Sequence, residues 1–178
     1  MKKQALPHVP EATMAALEDV AGRLGVTQDF MVTAATWVFC KTDPVTHHLV
    51  VGDFWLRGKS DLEARGFQRR PGTFKEGVRG WLPVAIPPSA AALLAKARSA
   101  RGGPEGEFSR AQEFVAALQF FAAFPIEARL AIAREYATHL AVEIEPGAEA
   151  AASPAPRPMV SKLLAALGAE AGKPGSSD

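Results

Sequence analysis

Two segments of this chain match in the order of their features, and the match constrains its fold more than any other feature. Leu6-Pro7-His8-Val9-Pro10, followed by EATMAALEDVAGRLG and VTQDFMVTAATWVF, is matched by Leu82-Pro83-Val84-Ala85-Ile86-Pro87, followed by PSAAALLAKARSARGG and PEGEFSRAQEFVAALQFF. Val9-Pro10 meets Ile86-Pro87, Leu17 meets Leu94 and Gly25 meets Gly102 at an offset of 77. Thr27 then meets Ser109, and Ala34-Ala35 meets Ala116-Ala117, at an offset of 82. The difference falls in residues 103–107, a Gly/Pro/Glu loop where an insertion costs little.

Each copy reads as a short extended piece, a helix, a glycine stop, a hydroxyl cap and a second helix. Leu17, Val20, Ala21 and Leu24 lie at i, i+3, i+4 and i+7, one stripe of a helix. Gly25 suits the left-handed position that ends it. Thr27 is placed to accept from free N–H groups of the next helix, whose buried face is Phe30, Ala34, Trp37 and Val38. In the second copy Ser89 is expected to cap the first helix, with Leu93, Leu94 and Ala97 inward. Ser109-Arg110-Ala111-Gln112 is a capping-box pattern, and Phe114, Ala117, Leu118 and Phe121 form the stripe after it.

This order of features resembles the ribbon-helix-helix family. The resemblance rests on Val9-Pro10, Gly25, Thr27 and Ala35, then on Ile86-Pro87, Gly102, Ser109 and Ala117. It spans roughly residues 3–40 and 81–122, under half the chain. It implies an intramolecular pseudo-dimer in which two strands pair as an antiparallel ribbon, the element that enters the DNA major groove in that family. The ribbon departs from the family in chemistry. With Leu82, Val84 and Ile86 inward, Trp81, Pro83 and Ala85 face out, and none of these makes the bidentate bonds that distinguish base pairs. Pro7 and Pro83 each remove a ladder donor, leaving Gln4 and His8 as the polar groups able to reach a base edge.

Charge points the same way as the resemblance. The chain has 178 residues with 20 Lys+Arg against 19 Asp+Glu, a balance that hides segregation. Residues 57–79 hold Arg57, Lys59, Arg65, Arg69, Arg70, Lys75 and Arg79 against Asp61, Glu63 and Glu76. Residues 96–110 are also net basic, whereas 111–150 hold two Arg against six Glu. Phe54, Trp55, Phe67, Phe74 and Trp81 are interleaved with or flank the basic run. Cations that neutralise phosphate beside rings that stack on bases suit nucleic acid, each stacked base being worth about 1–3 kcal/mol. Glycines and a Pro-Gly pair in this insertion, residues 43–80, predict strands and turns: a strand at 48–56, a short helical turn at 60–65, then loops to the strand at Trp81.

Enzymatic chemistry finds little footing. No glycine loop carries the Gly-Lys-Ser/Thr that holds phosphates and magnesium. The single Cys40 excludes an intramolecular disulfide framework and a multi-Cys zinc site. Cys40 with His47 and His48 offers at most three ligands, and neighbours on a strand point to opposite faces, so no metal or other cofactor is expected. Asp53, Asp61 and Glu63 form no recognisable carboxylate constellation, and no catalytic residues are assigned.

After Phe124-Pro125, residues 126–144 are expected to form a further helix that completes the core or, with Phe120, Phe121 and Phe124, a homodimer face. The core is the favoured place for so many rings. From position 146 to the end at 178, Ala, Pro, Gly and Ser make up two thirds of the sequence. That leaves too little apolar surface to offset ordering entropy, so a flexible tail is expected. Within it, 159–167 has apolar groups at helical spacing. It suits either a helix on the domain's own surface or a tethered docking helix for a protein partner. No apolar run of signal-peptide or membrane-spanning length occurs, and a cytoplasmic setting is expected.

The sequence therefore predicts an α+β, mainly helical domain over residues 1–145: repeat one at 3–40, a basic β-rich insertion at 43–80, repeat two at 81–122 and a helix at 126–144. The expected function is non-enzymatic nucleic-acid binding, with DNA, duplex or single-stranded, as partner. Lys2, Lys3, Gln4, Arg57, Lys59, Arg65, Arg69, Arg70, Lys75 and Arg79 are the expected contacts, with Trp55 and Trp81 for stacking. Such a protein would serve as a regulator or in DNA handling. The alternative is a protein-interaction adaptor on the same scaffold.

Overall fold

Proline and glycine punctuate the chain where the sequence places them. The computed structural model describes residues 6–64, 80–101, 108–142 and 144, and for 55–64 and 101 the backbone alone. Strand β1 (His8–Pro10) ends on Pro10, whose extended backbone releases helix α1 (Glu11–Leu24). Thr13, Met14, Leu17, Val20, Ala21 and Leu24 form the buried stripe of α1. Gly25 then takes φ +64, and the Val26 N–H donates to the Ala21 carbonyl at 3.1 Å. Thr27 is extended, and its hydroxyl accepts from the Phe30 N–H at the head of α2 (Gln28–Cys40). Residues 31–39 of α2 are all buried, as befits a helix covered on several sides.

The second half repeats the helix bounds but not the strand bounds. Strand β2 (Trp81–Pro83) precedes α4 (Pro88–Arg101), whose two ends match those of α1 at the offset of 77. Helix α5 (Arg110–Ala122) matches both ends of α2 at the offset of 82. Ser109 and Gln112 exchange both bonds of a capping box at 2.6 and 3.2 Å. Ser89 is not the cap of α4. It lies inside the helix, which begins at Pro88, and its hydroxyl is 2.8 Å from that of Thr33 on α2.

Residues 43–64 overturn the expected β-rich insertion. Instead of a strand at 48–56 and a turn of helix at 60–65, one helix, α3, runs Pro44–Ala64. Asp43 starts it, its Oδ1 accepting the Val45 and Thr46 N–H groups at 3.0 Å each, and Pro44 suits the first helical position. Thr46, His47, Val50, Val51 and Phe54, at i, i+1, i+4, i+5 and i+8, are buried or half-buried, and α3 packs on α5. That tertiary contact outweighs the valines and Gly52, which locally favour a strand or turn. The Thr46 hydroxyl, short of a full hydrogen bond, and the Thr46 amide hold the Asp43 carboxyl below its ordinary value of 3.8. A carboxyl depressed in this way stabilises the fold above that value and ceases to as pH falls through its folded value. Asp43→Ala is therefore expected to cost about 1 kcal/mol at pH 7. In urea melts the deficit should shrink as pH drops from about 4 towards 2.

Helix α6 (Ile126–His139) begins after Pro125 as expected but stops short of 144. Leu140 closes it, Ala141 adopts φ +54, and the Val142 N–H reaches back to the Ala137 carbonyl at 2.9 Å. A left-handed alanine carries a steric cost that glycine avoids. Ala141→Gly is expected to raise stability by about 0.5–1 kcal/mol, read as a higher denaturation midpoint with an unchanged slope.

The central layer is α2 against α5. Helix α3 packs on α5 and α6 on α2, while α4 packs on α2 and α1 on α5. Phe120 and Phe121 lie in this core, not on an open face. β1 and β2 pair antiparallel over it, His8 with Pro83, Val9 with Leu82 and Pro10 with Trp81. The ladder continues in the Val84 N–H bond to the Pro7 carbonyl and the Glu11 N–H bond to the Gly80 carbonyl, both 2.9 Å. Val84 and Ile86 turn towards the core as expected, but Trp81 and Leu82 exchange places: Trp81 is 5% exposed and Leu82 40%. No helix among the described residues is long and apolar enough to cross a membrane.

Candidate functional site

The residues expected to contact nucleic acid divide into three groups. Lys2, Lys3, Gln4, Arg65, Arg69, Arg70, Lys75 and Arg79 lie outside the described residues, as does the segment 159–167. Trp55, Arg57 and Lys59 fall in the second half of α3, where the backbone is helical. Trp81 is a correction: it is an interior group, so it offers no face on which a base can stack. The outer surface of the ribbon is apolar, with Leu6, Leu82, Pro83 and Ala85 exposed, and His8 half-buried beside them.

The densest polar arrangement among the described residues lies where α3 and α4 meet α5. Glu113 is buried at the start of α5, and its Oε1 is 3.2 Å from His47 Nε2 on α3. Its Oε2 is 3.5 Å from an Arg98 nitrogen on α4, and Arg98 also donates to the Phe108 carbonyl at 3.1 Å. The His47 ring lies 4.3 Å from that of Phe39, and its Nδ1 is buried without a hydrogen-bond partner. The Glu113 carboxylate thus faces His47 with one oxygen and Arg98 with the other. No group of three His, Cys, Asp or Glu able to hold a metal occurs among the described residues. Cys40 closes α2, and His47 on α3 is committed to Glu113.

This cluster was not foreseen from sequence, although its signal was present. Glu113 is a carboxylate in line with the apolar positions Ala117 and Phe120, and an acid on a buried stripe needs a cation. Arg98, counted in the basic run 96–110, supplies that charge and is partly withdrawn from any phosphate surface. At the repeat offsets, the counterparts of Arg98, Glu113 and His47 are Ala21, Met31 and Arg129. Ala21 and Met31 are buried in an apolar core, and Arg129 donates to the Ala16 carbonyl while its Nε is buried without a hydrogen-bond partner.

A second aromatic group joins α2 to α6. Tyr136 rests on Phe30 and Trp37 with centroids 5.2 and 5.4 Å apart, and burial pushes its phenol up from 10.0. Lys41 lies over Trp37 at 3.4 Å and pairs with Glu135 at 3.2 Å, pinning α6 to α2. No protein-family model, curated protein or solved structure matches this chain. Its chemistry must be argued from its own residues.

Proposed function

We propose that the chain is a non-enzymatic nucleic-acid-binding protein built as an intramolecular pseudo-dimer of the ribbon-helix-helix kind. It would hold DNA through phosphate contacts and aromatic stacking more than through base readout. The β1–β2 register carries this reading. Every antiparallel pair (8 with 83, 9 with 82, 10 with 81) has residue numbers that add to 91. A two-fold axis that also obeys the repeat offset of 77 must cross such a ribbon at 7 and 84, the pair with both properties. Pro7 and Val84 make the one backbone bond that a proline there allows. The reciprocal packing of α3 on α5 and α6 on α2 supports the same symmetry. So does the start of α6, which follows that of α3 at the same offset of 82 that relates α5 to α2. The unit that recurs is then a strand and three helices, one helix longer than the sequence comparison recognised.

On this scaffold the basic run 57–79 supplies the phosphate contacts, and α3 leads into it with Arg57 and Lys59. The buried Trp81 leaves stacking to Trp55 and the remaining rings of the run. A titration of duplex and single-stranded DNA across a salt series tests the proposal. Affinity should fall steeply with salt, and reversing the charge of Arg69 and Arg70 should weaken binding and lower the log–log slope by about 2. Affinity for both substrates weaker than about 10⁻⁴ M at low salt would remove the DNA reading.

A second reading has its own observation. Leu6, Leu82, Pro83 and Ala85 give the ribbon an apolar outer face, which suits a protein partner better than a groove lined by base edges. A salt-insensitive complex with a protein, alongside failed DNA titration, would favour an adaptor.

A further inference from the structure

We propose that the outer face of α3 is a helix-docking surface whose occupant is the chain's own segment 159–167. Val45 and Leu49, one helical turn apart, are 64% and 52% exposed, among the most open large apolar side chains described. Gly52 continues the same line, and a Cβ built there meets nothing within 4 Å. A glycine inside a helix is unfavourable, and open space beside it lets another backbone approach closely.

The two halves of the molecule provide the comparison that makes this face informative. The argument rests on the pairing of α3 with α6 proposed above, but not on the nucleic-acid reading. On the inner side the two helices agree: Thr46 with Ala128, Val50 with Ile132, Val51 with Ala133 and Phe54 with Tyr136 are buried or half-buried in both. On the outer side they differ. Glu127, Ala131 and Arg134 stand where α3 has Val45, Leu49 and Gly52. The scaffold therefore accepts charged residues at two of these three positions, and the wholly apolar line on α3 serves another contact.

The tail fits that contact in pattern and in the length of its tether. Met159, Val160, Leu163, Leu164 and Leu167 follow helical spacing. The linker 145–158 has a contour of about 45–50 Å. Tethering at that length gives an effective concentration near the millimolar range, so a short apolar helix can dock where the same peptide free in solution would not.

Disulfide trapping in the full chain tests the assignment. With Cys40→Ala removing the native thiol, Leu49→Cys with Leu163→Cys should close under oxidised glutathione into a cross-linked monomer. Closure should be about tenfold faster than for Glu127→Cys with Leu163→Cys, which probes the matching outer face of α6. Equal rates would overturn the proposal, and a cross-linked dimer would assign the face to a second copy instead. Amide exchange gives a readout without new cysteines: Leu163→Asp with Leu167→Asp should speed exchange in residues 45–52. Unchanged exchange would overturn it. Neither measurement involves DNA, so failure here and failure of the salt titration are distinguishable.

Discussion

Phe39→Ala is expected to lower the unfolding free energy by about 3–5 kcal/mol, a large fraction of the roughly 5–15 kcal/mol that holds a typical domain together. Phe39 has no exposed surface and anchors a cluster with Val51, Ala116, Ala117 and Phe120. Its ring contacts His47 on α3 at 4.3 Å and meets the edge of Phe120 on α5 at 5.9 Å. Truncation removes the aromatic surface and leaves a void that three helices bound, so collapse around it is restricted. Because α3 is held by this cluster, amide exchange along residues 46–54 should rise more than in α1 or α4. Phe39→Leu, which keeps most of the volume, should cost appreciably less. A loss below about 1 kcal/mol for Phe39→Ala in denaturant melts would mean that α3 is not seated there.

Glu113→Ala should cost about 3 kcal/mol, at the low end for breaking a buried pair because the Arg98 side chain remains 33% exposed to water. The substitution strands an arginine and leaves His47 Nε2, already a neighbour of the unpartnered Nδ1, without its acceptor. A different change at the same place should be far milder. Replacing the whole cluster with Arg98→Ala, Glu113→Met and His47→Leu brings apolar groups to the site, as Ala21 and Met31 do in the other half of the molecule. Removing all partners together avoids an uncompensated charge, and that triple variant should lie within about 1 kcal/mol of the native chain. If the triple variant were as damaged as Glu113→Ala, the cluster would be a structural necessity, and the comparison between the halves would lose its force.

Much of the helical frame was legible before the fold was known. Gly25, Thr27, Ser109 with Gln112, and Pro125 each act on backbone groups within four residues, so their effect can be read locally. The duplicated order of those signals also anticipated a paired ribbon, and β1 and β2 do pair. Residues 44–64 were misread because Val50, Val51 and Gly52 carry strand and turn preference. Their helical state depends on Phe39, Ala117 and Phe120, from other helices. The candidate site divides in the same way. The basic run is visible as composition, but the burial of Trp81 and the withdrawal of Arg98 follow from packing.

Sequence alone thus determined where most helices begin and end, because capping and apolar spacing act over one or two turns. Tertiary structure decided which faces those helices bury. His47 and Glu113 lie on different helices far apart in the chain, and nothing near either one in sequence announces the other. It also decided that α3 turns Val45 and Leu49 to solvent while α6, on the same inner pattern, turns Glu127 outward. Burial depends on what the rest of the chain brings against a face, and that is a long-range property.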